Sequence, residues 1–189
     1  MVRMHQCVLV ASTLALSWFG MMAVHETGHV LAACLTGGTV ARVVLHPLTI
    51  SRTDLVDNPR PLLVVWGGPV FGVIAPLIVW GIAQLARLPI WYLLRFFAGF
   101  CLIANGAYIG IGSFGGVGDA GDLLRHGAPA WHLWLFGAAC VPVGLLLWHG
   151  IGPHFGMGDA NGRVSVPAAY GCLIMAIIMV ILMAGFGGE

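Results

Sequence analysis

The sequence predicts an all-α polytopic membrane protein with about five transmembrane helices and a short β ribbon between the first and the second. Three observations predict it. Of 189 residues, 59% are hydrophobic and only 8% are charged, far below the one-quarter charged that soluble domains carry. The mean hydropathy is +0.96. Five apolar runs, residues 7 to 36, 62 to 87, 90 to 111, 130 to 150 and 165 to 187, reach the length of about 20 residues that a helix needs to cross a bilayer. They take up most of the chain and leave no stretch for a separate soluble core, so residues 1–189 are read as a single membrane-embedded domain.

The first run follows a short basic start, as a secretory signal does. It continues well past the apolar core of a signal peptide, so a retained helix is expected. Residues 39 to 55, "TVARVVLHPLTISRTDL", alternate apolar and polar side chains in places and end in charged residues, the pattern of a short β ribbon. In the second run "GGPVFG", residues 67 to 72, offers small residues for close helix packing and a proline that frees a carbonyl. After the third run, Gly110, Gly112, Gly115, Gly116 and Gly118 argue against a regular helix. Irregular backbone at membrane depth is tolerated only when buried in protein or lining a wet cavity.

From Asp119 the pattern is that of a short helix, with Asp119 at the N-cap, Asp122 at the third position, Gly127 as the stop and Pro129 beyond it. In the fourth run His132 and His149 lie 17 positions apart beside Trp131, Trp134 and Trp148. That separation is about 25 Å along a helix, so the two imidazoles cannot share an ion and interface anchoring accounts for them. Residues 152 to 163, "GPHFGMGDANGR", are expected to form a glycine-rich loop.

Charge excludes some roles. The net charge of +1 argues against a nucleic-acid partner. Cys7, Cys34, Cys101, Cys140 and Cys172 are scattered through the apolar runs without a CxxC pair, as small buried residues rather than a disulfide framework. If the runs alternate in direction, Arg3, Arg87, Arg95 and Arg163 fall on one side and Arg42, Arg52, Arg60 and Arg125 on the other, so the positive-inside count is a tie and leaves the orientation open.

The chemistry concentrates in "AVHETGHVLAA", residues 23 to 33. His25 and His29 are four apart, one helical turn, which stacks both imidazoles on one face where they can grip one ion. Glu26 sits beside them and can reach a water on that ion without being a ligand, the H-E-x-x-H arrangement of zinc hydrolases. At this chain's own composition the pattern arises by chance roughly 0.004 times. A carboxylate in a membrane span costs on the order of 2.5 to 3.5 kcal/mol at mid-depth, so such a residue is functional by default. The alternative, three core side chains satisfied separately, fits each residue singly and the spacing badly. A catalytic zinc takes three protein ligands and keeps one position open. The third is sought in the glycine-rich segment, where Asp119 is favoured and Asp122 is the second choice.

"HETGH" in the first span, "GGPVFG" in the second and an Asp-led helix after the third together resemble the site-2 protease family of intramembrane zinc metalloproteases, over residues 7 to about 127. The resemblance implies Zn²⁺ held by His25, His29 and Asp119, with Glu26 activating water. "GDAGDLL" takes the place of the family's "LDGGRIL" and sets its aspartate on Asp119. The two spans within 130–187 would be additions to that core. It further implies a transmembrane protein substrate, cut in or near its membrane segment after a strand of the 39–55 ribbon pairs with it. The setting would be the lipid bilayer of a prokaryotic cell membrane. The family's Gly-Pro-x-x-Asn reads Gly68, Pro69 and Gly72 here, and its Asn-x-x-Pro before the aspartate is absent, leaving Asn105 as a candidate for stabilising an oxyanion or for helix packing. Two rival readings are a non-catalytic relative that binds a membrane partner, and a haem or metal-transport protein that uses the span histidines.

Overall fold

The computed structural model describes residues 2–47 and 51–186. Residues 48–50 of the expected ribbon, and residue 187 of the last run, lie outside the described residues. The fold is the expected one, five long apolar helices and a two-stranded antiparallel sheet. In chain order these are α1 (Val2–Leu35), β1 (Thr39–Val44), β2 (Arg52–Asp57), α2 (Pro61–Leu85), α3 (Trp91–Gly115), a short α4 (Gly118–Arg125), α5 (Ala130–Trp148) and α6 (Val166–Phe186). All five long helices are of a length and hydropathy that cross a membrane, and the protein is multi-pass.

The helix ends follow from backbone chemistry. Gly37 adopts φ +82° after α1, and the Gly38 N–H returns to the Ala33 carbonyl at 2.8 Å, the glycine stop that satisfies terminal carbonyls. The expected stop after α4 is of the same kind. Gly127 has φ +87° and the Ala128 N–H donates to the Leu123 carbonyl at 2.9 Å. In and just after α1, Ser12, Thr27 and Thr36 donate their hydroxyls to the carbonyls of Val8, Ala23 and Ala32, which settles their polarity on the helix itself.

Three sequence expectations change. The glycines at 110, 112 and 115 do not break α3, which runs on to Gly115. Their use is close approach: a Cβ on Gly110 would lie 3.2 Å from the Gly137 Cα of α5, and one on Gly106 would lie 2.8 Å from the Cys140 Cβ. Small residues let membrane helices pack this closely, and that gain outweighs glycine's poor propensity. The break comes only at Gly116, with φ +60°, and Gly118, with φ +53°. The helix holding Asp119 therefore starts two residues earlier than expected. Val117 is its extended N-cap and Asp119 lies in the first turn rather than at the cap, making no capping bond with its side chain. Cys7 and Cys34, read as buried, are exposed, whereas residues 152 to 163 form the expected glycine-rich loop, which carries two 3₁₀ turns, Gly152–Phe155 and Gly158–Ala160.

Two packed clusters hold the site-bearing elements in place. Ile109, Ala120, Leu123, Ala128 and Leu133 are buried together with Leu62, Val65 and Trp66 against them, which seats α4 between α2, α3 and α5. Leu9, Tyr92, Ile151, Phe155, Ala169 and Cys172 tie the opposite end of α1 to α3, the 3₁₀ segment and α6. Between α1 and α2 the backbones touch: a Cβ on Gly28 would lie 2.9 Å from the Gly67 carbonyl carbon and 2.8 Å from the Phe71 Cβ. The small residue of "HETGH" and the first glycine of "GGPVFG" thus make one contact.

Candidate metal centre

Helical periodicity alone puts His25 and His29 side by side, and the structure holds their Nε2 atoms 3.1 Å apart. The break between α3 and α4 brings Asp119 to them from 94 and 90 positions further along the chain, its Oδ2 2.8 Å from His25 Nε2 and 3.2 Å from His29 Nε2. All three residues are recessed: each histidine is 7% exposed and the Asp119 side chain 17%. The three predicted ligands therefore form one cluster, the one group of its kind among the described residues.

Asp122, the second choice for the third ligand, is not brought to the histidines. It pairs with Arg125 one turn along α4, and its side chain is 43% exposed. Asn105 of α3 sits against the cluster, its Oδ1 2.6 Å from His25 Nδ1 and its Nδ2 donating to the Cys101 carbonyl at 2.9 Å. Its amide oxygen thus faces His25 and its amide nitrogen the Cys101 carbonyl, and the residue lines the cavity.

Each imidazole has a partner on its far side. The Val64 carbonyl in the first turn of α2 lies 2.8 Å from His29 Nδ1. A carbonyl can only accept, so His29 carries a hydrogen on Nδ1, and its Nε2 turns a lone pair toward Asp119 when the ring is neutral. Burial opposes the charge on Asp119, but hydrogen bonds to His25 and His29 outweigh it and hold this carboxyl well below the usual carboxylate range. An ionised carboxylate oxygen facing imidazole nitrogens at about 3 Å calls for a positive charge between them, a proton or a cation.

The donor set fits a metal. Bonds of about 2.0–2.1 Å from zinc to nitrogen and oxygen give tetrahedral edges of about 3.3 Å. The observed edges are 2.8, 3.1 and 3.2 Å. Gly68 completes the cradle from α2. A Cβ there would fall 2.8 Å from His25 Nε2 and would also strike His29 Nε2, so only glycine admits the helix backbone this close.

Glu26 is 3% exposed and lines the same cavity as the triad, where Thr53 of β2 donates its hydroxyl to Oε2 at 2.7 Å. The cavity has a volume of about 1070 Å³ and is walled by Trp18, Met21 and Met22 of α1 as well as the site residues. β2 forms one side of it through residues 52 to 55, with Ser51 just before the strand. The ribbon itself is pinned by Arg42 and Arg52, both paired with Asp54. The hydrogen bond from Arg42 keeps the Asp54 carboxyl below its ordinary range.

Sequence reasoning did not anticipate Val64, Thr53 or Tyr108, whose hydroxyl accepts from the Asp119 N–H at 3.1 Å. Val64 touches the site through its backbone carbonyl, Tyr108 through its hydroxyl on the Asp119 backbone, and Thr53 reaches it only through the way the ribbon folds back. No pattern in the chain signals these. Comparison of the chain with protein-family models, with curated proteins and with solved structures finds no match.

Proposed function

We propose that the chain is an intramembrane zinc metalloprotease of the site-2 protease type, which hydrolyses peptide bonds in or near the transmembrane segments of membrane-protein substrates. A prokaryotic cell membrane is the setting proposed for it. The observation that carries the reading is the meeting of His25, His29 and Asp119 at about 3 Å, with Glu26 in the same cavity. Zinc held by these three side chains would lower the pKa of water toward neutrality and polarise the scissile carbonyl.

The protein's own groups supply the rest. Glu26 has one carboxylate oxygen fixed by Thr53, which leaves the other to take a proton from the attacking water and pass it to the departing amine. The Gly68 backbone keeps bulk out of the donor cluster while the cavity leaves room for an extended peptide. A transmembrane substrate must be unwound first, because a helical peptide bond is shielded by its own hydrogen bonds. Among the described residues β2 pairs only with β1, so its other edge offers replacement bonds to such a strand. The apolar wall of Trp18, Met21 and Met22 suits the side chains of a membrane segment.

The rival reading, a non-catalytic protein that only binds a membrane partner, leaves Glu26 without a purpose: a buried carboxylate in a span is costly to keep. The test is Glu26→Gln in the purified, zinc-loaded protein, incubated with a panel of transmembrane substrates in proteoliposomes. Cleavage by the variant should fall at least about 100-fold below that by the wild type while one zinc per chain is retained. Equal cleavage by both proteins would refute the assignment of the base. A haem Soret band in place of zinc would refute the metal.

A further inference from the structure

The structure assigns to Asn105 the role of a positioning residue that fixes the tautomer and direction of His25, and through them the affinity of the site for its metal. The assignment rests on the proposed metal-holding role of His25, His29 and Asp119. Asn105 is 1% exposed and stands in the middle of α3, a helix that contributes no ligand.

The orientation of its amide is decided by chemistry. The Cys101 carbonyl, 2.9 Å from one end of the amide, can only accept, so the NH₂ end must face it. The oxygen end then faces His25 Nδ1, at 2.6 Å. An amide oxygen can only accept as well, so His25 Nδ1 must carry a hydrogen. In the neutral ring this leaves the lone pair on Nε2, the atom that lies 2.8 Å from Asp119 Oδ2. Flipping the amide would reverse the chain of consequences: NH₂ would face Nδ1, the hydrogen would move to Nε2, and His25 could not bind an ion there. The Cys101 carbonyl forbids the flip.

Packing locks the amide in the plane this requires. A Cβ on Gly72 of α2 would fall 2.9 Å from both Nδ2 and Oδ1, so the absence of a side chain at 72 makes the slot in which the Asn105 amide lies. His29 is held in the same way by the Val64 carbonyl. The two imidazoles are therefore aimed by two different helices, α3 and α2, while sharing only α1. Hydrogen-bonding the far nitrogen of a ligating histidine raises its basicity and sets its ring, and losing such a partner costs about 10- to 100-fold in metal affinity.

The test uses the full chain in detergent with zinc as the probe. Asn105→Leu keeps the branching at Cγ and removes the acceptor; Asn105→Asp keeps an acceptor oxygen. Zinc dissociation constants are measured by competition with a chelator. ¹⁵N-histidine NMR of the zinc-loaded protein reads which ring nitrogen of His25 carries the hydrogen, its signal assigned by its loss in His25→Gln. Expected are an Nδ1–H hydrogen-bonded to Asn105 in the wild type and loss of that hydrogen-bonded signal in Asn105→Leu. Zinc binding should weaken about 10- to 100-fold in the leucine variant, with most of the loss recovered in the aspartate variant. An Nε2–H tautomer in the wild type, or zinc binding by Asn105→Leu within threefold of wild type, overturns the assignment. Should the leucine variant not fold, the wild-type tautomer decides alone. A wild type that binds zinc as expected but cuts no substrate would count against the protease reading and leave this one standing.

Discussion

Replacing Gly68 by alanine adds one methyl group at the point where α2 faces the donor cluster, and its effect can be worked from distances. The new Cβ would sit 2.8 Å from His25 Nε2 and in collision with His29 Nε2. Ordinary contact begins near 3.4 Å, so His25 must retreat by about 0.6 Å and His29 by more. Metal sites tolerate ligand displacements of about 0.2 Å. Two of three donors are thus pushed beyond tolerance, and zinc affinity should fall by at least about 100-fold, about 2.7 kcal/mol. The metal-free fold should suffer far less: overpacking costs about 1–3 kcal/mol, against which the exchange of glycine for alanine within a helix returns up to about 1 kcal/mol. Chelator competition measures the first quantity and thermal unfolding of the metal-free protein in detergent the second. Gly81→Ala is the control, because on the same helix its Cβ would meet nothing within 4 Å. A Gly68→Ala protein that binds zinc within threefold of wild type would refute the view that the three side chains form the metal centre in the geometry described.

Two further outcomes follow from the same geometry. Asp119→Asn should weaken zinc binding by at least about tenfold, whereas Asp122→Asn, which disturbs only a surface pair with Arg125, should leave it within about twofold in the same chelator assay; the reverse order would transfer the ligand to Asp122. Gly28→Val should lower the unfolding temperature with or without zinc, because its side chain is forced into the Gly67 backbone at an overpacking cost of about 1–3 kcal/mol. Valine at Gly171, where a Cβ meets nothing within 4 Å, should leave that temperature unchanged.

Local pattern made much of this molecule legible. The five spans follow from hydropathy alone, and the pairing of His25 with His29 follows from helical geometry. Asp119 was reachable because an acid heads a short helix just after a glycine-rich break, although the cap itself falls to Val117. The glycines of α3 misled because a glycine that breaks a helix and a glycine that admits a neighbouring helix look alike until the neighbour is known; at 110 the neighbour is Gly137. Asn105 stood out as a polar residue in a span, but its partner lies 80 positions away in sequence. Thr53 carries no mark at all. Its meeting with Glu26 depends on where the ribbon lies, and backbone carbonyls such as that of Val64 are present everywhere in a sequence and informative nowhere.

The length of α1 bears on how three ionisable groups can live in so apolar a segment. Its 34 residues extend about 51 Å, well beyond the roughly 30 Å of a hydrocarbon layer. The 18 residues from Cys7 to Val24 already use about 27 Å of that layer before His25 is reached. His29, moreover, meets the carbonyl of a residue only four places into α2. Were the near headgroups level with Cys7, the cluster would lie at the opposite shore of the oil rather than in its middle. Ionisable groups so placed would meet interfacial water without a long aqueous shaft through the helices.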